Sequence, residues 1–240
     1  MLNDKSILVI VPARGGSKGV KLKNIQPIRG VPLVALVGRV VNQLPYVDRA
    51  VVSTDHPEIA RISQESGLAV PFMRPQALAG DIISDFDVLH HALLEVEAID
   101  QKKYDIILML QPTCPLRRPE HVTACVEKLI EGHFDAVWTI SETDSKSHPL
   151  KQLIITGDSL DYYDSAGAKV VARQQLSTVY HRNGAAYAIT RECLVDQKST
   201  KGAKTGGVVI PEPLISIDTN IDFELCEFIL ERYYHGRTDG

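Results

Sequence analysis

Ile7 to Val11 is an unbroken apolar run without polar alternation, which predicts a strand buried on both faces. After Pro32, apolar positions recur at Leu33, Leu36, Val37, Val40, Val41 and Leu44, the 3.6-residue spacing of an amphipathic helix. Arg49 to Thr54 predicts a second strand, Pro57 to Ser66 a short helix, and Val70 to Phe72 a brief strand. Phe86, Leu89, Leu93 and Val96 mark another helix, and Asp105 to Leu110 a central strand. Val122, Cys125, Val126, Leu129 and Ile130 form the next helical stripe, with Ala136 to Ile140 as the following strand. Further on, Ala185 to Ile189 and Gly207 to Ile210 predict strands. A final helix is expected from Thr219 to about Tyr234, its inner face formed by Leu225, Phe228, Ile229 and the stem of Arg232. Strands alternating with helices of this length imply a Rossmann-like, doubly wound α/β fold with a mostly parallel sheet and right-handed connections.

Residues from about 141 to 180 break this rhythm. They hold polar stretches, a short β-like run from Leu153 to Thr156 and two glycines, but no convincing helix. A long non-helical insertion in an α/β domain is usually functional or an oligomer contact, so a β-rich arm is expected. No internal repeat or low-complexity linker interrupts the rest, and residues 1–240 read as one domain carrying that arm.

Composition narrows the function classes. Hydrophobic residues make up 44% and charged residues 23% of the 240 positions, as in ordinary globular proteins. The net charge of −4 gives no global support for a nucleic-acid partner. Cys114, Cys125, Cys193 and Cys226 show neither CxxC nor zinc-like spacing, and the N-terminal apolar run is too short for a signal core or membrane span. A soluble, unexported, cytoplasmic protein is expected, with no membrane partner.

The chemistry is concentrated just after the first strand. Pro-Ala-Arg-Gly-Gly-Ser-Lys-Gly-Val-Lys-Leu-Lys-Asn, residues 12–24, carries three glycines and the cations Arg14, Lys18, Lys21 and Lys23. Glycines let backbone approach a ligand closely, and a cationic, amide-rich loop at a strand's carboxyl end suits a polyphosphate. The alternative is a solvated basic turn. The loop is not a P-loop, because Ser17 precedes Lys18, and it lacks the dinucleotide glycine spacing. NTP-hydrolysing switches and hydride-transfer enzymes are thereby disfavoured.

Further segments sit at predicted strand ends or loops: Arg74-Pro75 with Asp81 and Ser84, Gln111-Pro-Thr-Cys-Pro-Leu-Arg117, Tyr180-His-Arg-Asn-Gly-Ala-Ala-Tyr187, and Ser216-Ile-Asp-Thr-Asn-Ile-Asp222. Together with residues 12–24 they resemble the sialic-acid (acylneuraminate) cytidylyltransferases, the CMP-sugar synthetases, over nearly the whole chain and in the family's order. The resemblance implies a fold similar to nucleotide-diphospho-sugar transferases. It also implies coupling of CTP to the anomeric hydroxyl of a nine-carbon 2-keto acid sugar, with release of pyrophosphate. It assigns Arg14, Lys23 and Arg173 to catalysis, and Ala13, Arg14, Gly15, Lys23, Asn24, Arg74 and Ser84 to the nucleotide. Gln111, Arg173, Asn183 and Tyr187 are assigned to the sugar, and Asp218 to Mg²⁺. It further implies a homodimer paired through the 141–180 arm.

Some positions depart from the family pattern. Its metal motif is usually Asp-x-Asp-Thr, whereas this chain reads Ser216-Ile217-Asp218-Thr219, so a single carboxylate remains. The alternative for this segment is helix capping with Thr219 and Asp222 as a capping box. The paired serines of the nucleotide loop are reduced to Ser84, and Asn183-Gly184 also reads as a turn needing positive φ. The Gln-Gly-Asp-Glu-Pro segment of the eight-carbon enzymes is replaced by Gln111-Pro-Thr-Cys-Pro, which points to the nine-carbon branch. A nucleotidyltransferase for another sugar, or a non-catalytic nucleotide-binding homologue, stays open.

Overall fold

The computed structural model describes residues 2–234; residue 1 and residues 235–240 of the expected 1–240 domain lie outside the described residues. Ile7–Pro12 forms β1, Leu33–Val41 α1, Arg49–Ser53 β2, Pro57–Glu65 α2, Asp85–Asp100 α3 and Ile106–Met109 β3. Pro119–Glu131 is α4 and Ala136–Glu142 is β4, followed by the arm strands β5, Leu153–Thr156, and β6, Ser159–Tyr162. Tyr180–Thr190 is β7, Arg191–Val195 α5, Thr205–Val209 β8 and Asn220–Ile229 α6.

The main sheet runs in the order β8-β4-β7-β3-β1-β2. Strand β1 is parallel to β2 and β3, β8 is parallel to β4, and β7 alone runs antiparallel to its neighbours β3 and β4. The chain therefore leaves β1 toward β2, then crosses to β3 on the other side. That reversal places a crevice at the carboxyl end of β1, where open α/β sheets bind ligands.

Strand alternation divides the core into two layers. Ile7, Val9 and Val11 face one side, against Val34 and Val37 of α1, Ile59 of α2, and Val122, Val126 and Leu129 of α4. Leu8 and Ile10 face the other, against Leu89, Leu93 and Val96 of α3. A third cluster lies beneath the crevice and joins Ile28, Leu33, Leu116, Ile217, Cys226 and Ile229. Its members come from the segments just after the N-terminal loop, after β3 and around α6, so one apolar floor fixes three loops.

Two sequence expectations need correction. The strand expected at Val70–Phe72 reduces to an isolated bridge from Ala69 to Val51, because the chain turns away toward Arg74. The inner face of α6 is Cys226 and Ile229, with Phe223 and Leu230 packed alongside; Leu225, Phe228 and Arg232 face solvent. Helical periodicity marks an apolar face without saying which side meets the sheet. The short helix α5, unforeseen from sequence, starts where Thr190 caps it by accepting from the Cys193 amide at 3.1 Å.

Glu97 on α3 fixes the sheet edge opposite the crevice. Its buried carboxylate accepts from Arg191 at 2.8 and 3.1 Å, from Lys103 at 2.7 Å and from the Tyr104 amide at 3.1 Å. Burial pushes the carboxyl up, but these donors outweigh it and hold the group below the ordinary glutamate range. Glu97→Ala should cost about 2 kcal/mol near neutral pH, less than stranding a fully buried charge because Lys103 and Arg191 keep access to water. A carboxyl with a lowered folded pKa stabilises above its unfolded value of about 4.3 and loses that effect as pH falls through the lower folded value. Thermal melts should therefore separate parent and variant at pH 7 and draw together as pH falls through the lowered folded value; a gap that persists unchanged in strong acid would refute the charge-based account.

Candidate functional site

A cavity of about 450 Å³ opens at the carboxyl edge of β1 and β3, lined by Arg14, Lys18, Lys23, Arg74, Gln111 and Asp218 among others. The N-terminal loop is held by its own backbone contacts. Ala13 donates to the Ser53 carbonyl at 3.0 Å, and the Gly15 amide donates to Asp55 at 2.8 Å. Asn24 is buried and donates to the Arg14 carbonyl at 3.0 Å, so it braces the backbone that carries the arginine. A Cβ on Gly19 would collide with the Asp218 carbonyl, which explains a glycine where this loop meets the segment before α6.

The three cations of the N-terminal loop that line the cavity are paired with carboxylates. Arg14 Nη1 donates to Asp81 Oδ1 at 2.7 Å, Lys18 Nζ lies 2.7 Å from Asp81 Oδ2, and Lys23 Nζ donates to Asp218 Oδ1 at 2.8 Å. Arg74 is buried, donating from Nε to Ser53 Oγ at 3.0 Å and from Nη2 to the Ser53 carbonyl, and burial lowers its pKa to about 10. It remains a cation at neutral pH with a guanidinium edge on the cavity wall.

Gln111 follows β3 and reaches the cavity because Arg117 pins its loop. The buried Arg117 guanidinium donates to the carbonyls of Gln111, Gly184 and Ala185, with no carboxylate among those partners, and burial lowers its pKa. The Ile217 amide donates to the Thr113 carbonyl at 2.8 Å, tying the Asp218 segment to the same loop. Gly184 has φ +76°, and a Cβ there would sit 2.8 Å from Gln111 Oε1.

Ser84, Asn183, Tyr187 and Arg173 do not line this cavity. Ser84 caps α3, its Oγ accepting from the Asp87 amide and donating to the Asp87 carboxylate at 2.6 Å. Buried Asn183 accepts from Thr139 at 2.7 Å and from the Ala185 amide, and donates to Ser141 at 3.1 Å. The Tyr187 hydroxyl accepts from the Gly184 amide at 3.0 Å, and burial raises its pKa. Both residues thus shape β7 and its irregular register at Gly184 from within. Arg173 lines a separate cavity of about 430 Å³ inside the arm, with Asp144, His148 and Ser177. His181 pairs with Thr143 at 3.0 Å at the base of the arm, away from the crevice.

The capping alternative for Asp218 separates cleanly from its carboxylate. Asp222 Oδ2 accepts from the amides of Asp218 and Thr219 and from the Thr219 hydroxyl, so the box of Thr219 and Asp222 closes α6 without the Asp218 side chain. Among the described residues no three His, Cys, Asp or Glu side chains gather into a cation cage. Mg²⁺, however, takes one or two protein carboxylates when phosphates and water complete its shell. Asp218 on the cavity wall fits that limited part. The sequence reading places Asp81, Thr113 and Arg117 within the family-like segments without giving them individual roles at the site.

A cationic glycine loop at the switch point of a mostly parallel sheet, with a carboxylate facing it across a polar cavity, defines a nucleotide-handling α/β protein. The chain belongs to the cytidylyltransferase family, whose model matches residues 8–206. It is 29% identical over 226 residues to post-translational flagellin modification protein B of Campylobacter coli, covering 94% of this chain and 95% of that protein. It is 28% identical over 227 residues to CMP-N,N'-diacetyllegionaminic acid synthase of Legionella pneumophila, covering 94% and 96%. Its fold matches the structure of CMP:2-keto-3-deoxy-manno-octonic acid synthetase complexed with CTP, with TM-score 0.67 and 18% identity over 95% of this chain and 99% of that one. The resemblance read from the motifs is borne out. No helix among the described residues is long and apolar enough to cross a membrane.

Proposed function

We propose that this protein couples CTP to an acidic nine-carbon 2-keto sugar of the sialic, legionaminic or pseudaminic type, giving the CMP-sugar and pyrophosphate. The cavity at the end of β1, walled by Arg14, Lys18, Lys23 and Arg74, carries this reading. Arg14 and Lys23 would hold the triphosphate and oppose the charge that grows on pyrophosphate as its bond breaks, which favours the transition state over the ground state. Gln111, set by Arg117 and Gly184, would present its amide to the sugar. The anomeric hydroxyl would attack the α-phosphate in line. Mg²⁺ held at Asp218 would neutralise phosphate charge and lower the hydroxyl pKa. The four cysteines are free thiols, which suits a reducing cytoplasm. Incubation with CTP and a panel of nonulosonic acids should release pyrophosphate with one of them. CTP binding without release across the panel would favour a non-catalytic homologue.

The arm would pair two copies of the chain. Its hairpin β5–β6 exposes Ile155 at 72%, and just past it Tyr163 is 72% and Val171 90% exposed, an apolar surface suited to a second copy. Arg173 lies on that arm outside its own chain's crevice, so a dimer would deliver it to the partner's site. Mixing Arg14→Ala and Arg173→Ala dimers tests this. Random exchange makes half the dimers mixed, each with one intact shared site, so activity should recover to about a quarter of the parent's. No recovery after verified exchange would place Arg173 in its own chain's site.

A further inference from the structure

We infer that Asp81 is an intramolecular competitor for the phosphate-binding cations, and that its return to them drives pyrophosphate out of the site. The inference rests on the reading that this cavity holds the triphosphate. Each oxygen of the Asp81 carboxylate engages one loop cation, Oδ1 with Arg14 and Oδ2 with Lys18, both at 2.7 Å. Two oxygens on one centre, each on its own cation, reproduce the contacts that two phosphate oxygens would make there. The hydrogen bonds from Lys18 and then Arg14 hold the carboxyl below the ordinary aspartate range, so it is an anion throughout neutral pH.

The setting of Asp81 suits exchange. It sits on a turn between the short helical turn Gln76–Leu78 and the Ser84 cap of α3, outside any helix or strand. Neighbouring Ile82 is 97% exposed, so the tip of the turn has no core anchor, and the two ion pairs are the contacts that draw Asp81 inward. Both are partly exposed, the class of ion pair that water and competing anions break readily. A triphosphate would displace the carboxylate and the turn would move outward. After bond cleavage pyrophosphate would be left on the same cations that stabilised its formation, and strong binding there would slow turnover. A carboxylate held on a neighbouring turn of the same chain acts at high effective concentration and takes over each cation as a phosphate oxygen lets go.

Neutralising Asp81 removes the competitor and leaves the cations in place. Asp81→Asn and Asp81→Ala should bind inorganic pyrophosphate more tightly by calorimetry, on the order of tenfold, as expected when one charged competitor for two exposed pairs is lost. Pyrophosphate should inhibit these variants at correspondingly lower concentration, KM for CTP should fall, and kcat should fall as release slows. Asp81→Glu, which keeps the charge, should restore parent-like values. In an Arg14→Ala background the effect of Asp81→Asn on pyrophosphate affinity should shrink, because one of the contested cations is gone. Unchanged affinity in Asp81→Asn would overturn the inference. So would weaker binding, which would mean that Asp81 holds Arg14 in place for phosphate. The underlying reading has its own control: if Arg14→Ala binds pyrophosphate clearly more weakly than the parent, the site assignment stands whatever Asp81→Asn shows.

Discussion

Arg14→Ala should lose somewhat more than a hundredfold in kcat/KM for CTP while melting within about 2 °C of the parent. The side chain is partly exposed and pairs with the exposed turn residue Asp81, so the core does not depend on it. Its backbone carbonyl, which anchors Asn24, is unchanged by the substitution. The loss is of a guanidinium beside the growing charge of the leaving group, and removing one such preorganised donor costs about 3 kcal/mol. Steady-state kinetics on the folded variant check this. Near-parental kcat/KM would show that the N-terminal loop does not contact the phosphates.

Asp218→Asn should lower activity by about a hundredfold or more at low Mg²⁺, since a divalent ion at a transferring phosphate supplies several kcal/mol. The helix start should survive, because Asp222 accepts from the 218 and 219 amides and the Thr219 hydroxyl whichever side chain stands at 218. Raising Mg²⁺ should recover part of the loss, and Mn²⁺ binding measured by electron paramagnetic resonance should weaken. A different result would arise if the carboxylate served only to hold Lys23 through their 2.8 Å pair. The loss would then be the same at every Mg²⁺ concentration, and Mn²⁺ binding would be unaltered.

The elements were legible where periodicity and burial are local properties. The apolar run Ile7–Val11 became a strand buried between β2 and β3, and the stripe after Pro32 became α1 packed on one sheet face. The loop of residues 12–24 reached the carboxyl edge for the same reason, since a strand buried along its length must release the chain at that edge. The direction of β7 was not legible. An apolar strand reads alike in either sense, yet its antiparallel run is what sets Tyr187 opposite Met109 and carries the irregular stretch at Gly184 against Gln111. The face of α6 was misjudged because Ile221, Leu225 and Phe228 share one side of the helix while Cys226 and Ile229 share another, and both look apolar enough to be inner.

By itself the sequence determined the α/β alternation, the cationic loop at the end of β1 and the family, because each is written in residues near one another along the chain. Tertiary structure alone decided which charges meet. Arg14 and Asp81 lie 67 positions apart and Lys23 and Asp218 lie 195 apart, and nothing in local spacing pairs them. Lys23 and Asp218 meet because their loops share the apolar floor of Ile28, Leu116 and Ile217, and both pairs meet at the crevice formed where the strand order reverses. The same packing turned Asn183 and Tyr187 inward, since a buried polar group must find its hydrogen bonds within the fold, and here they found them on β4 and at the Gly184 amide of β7.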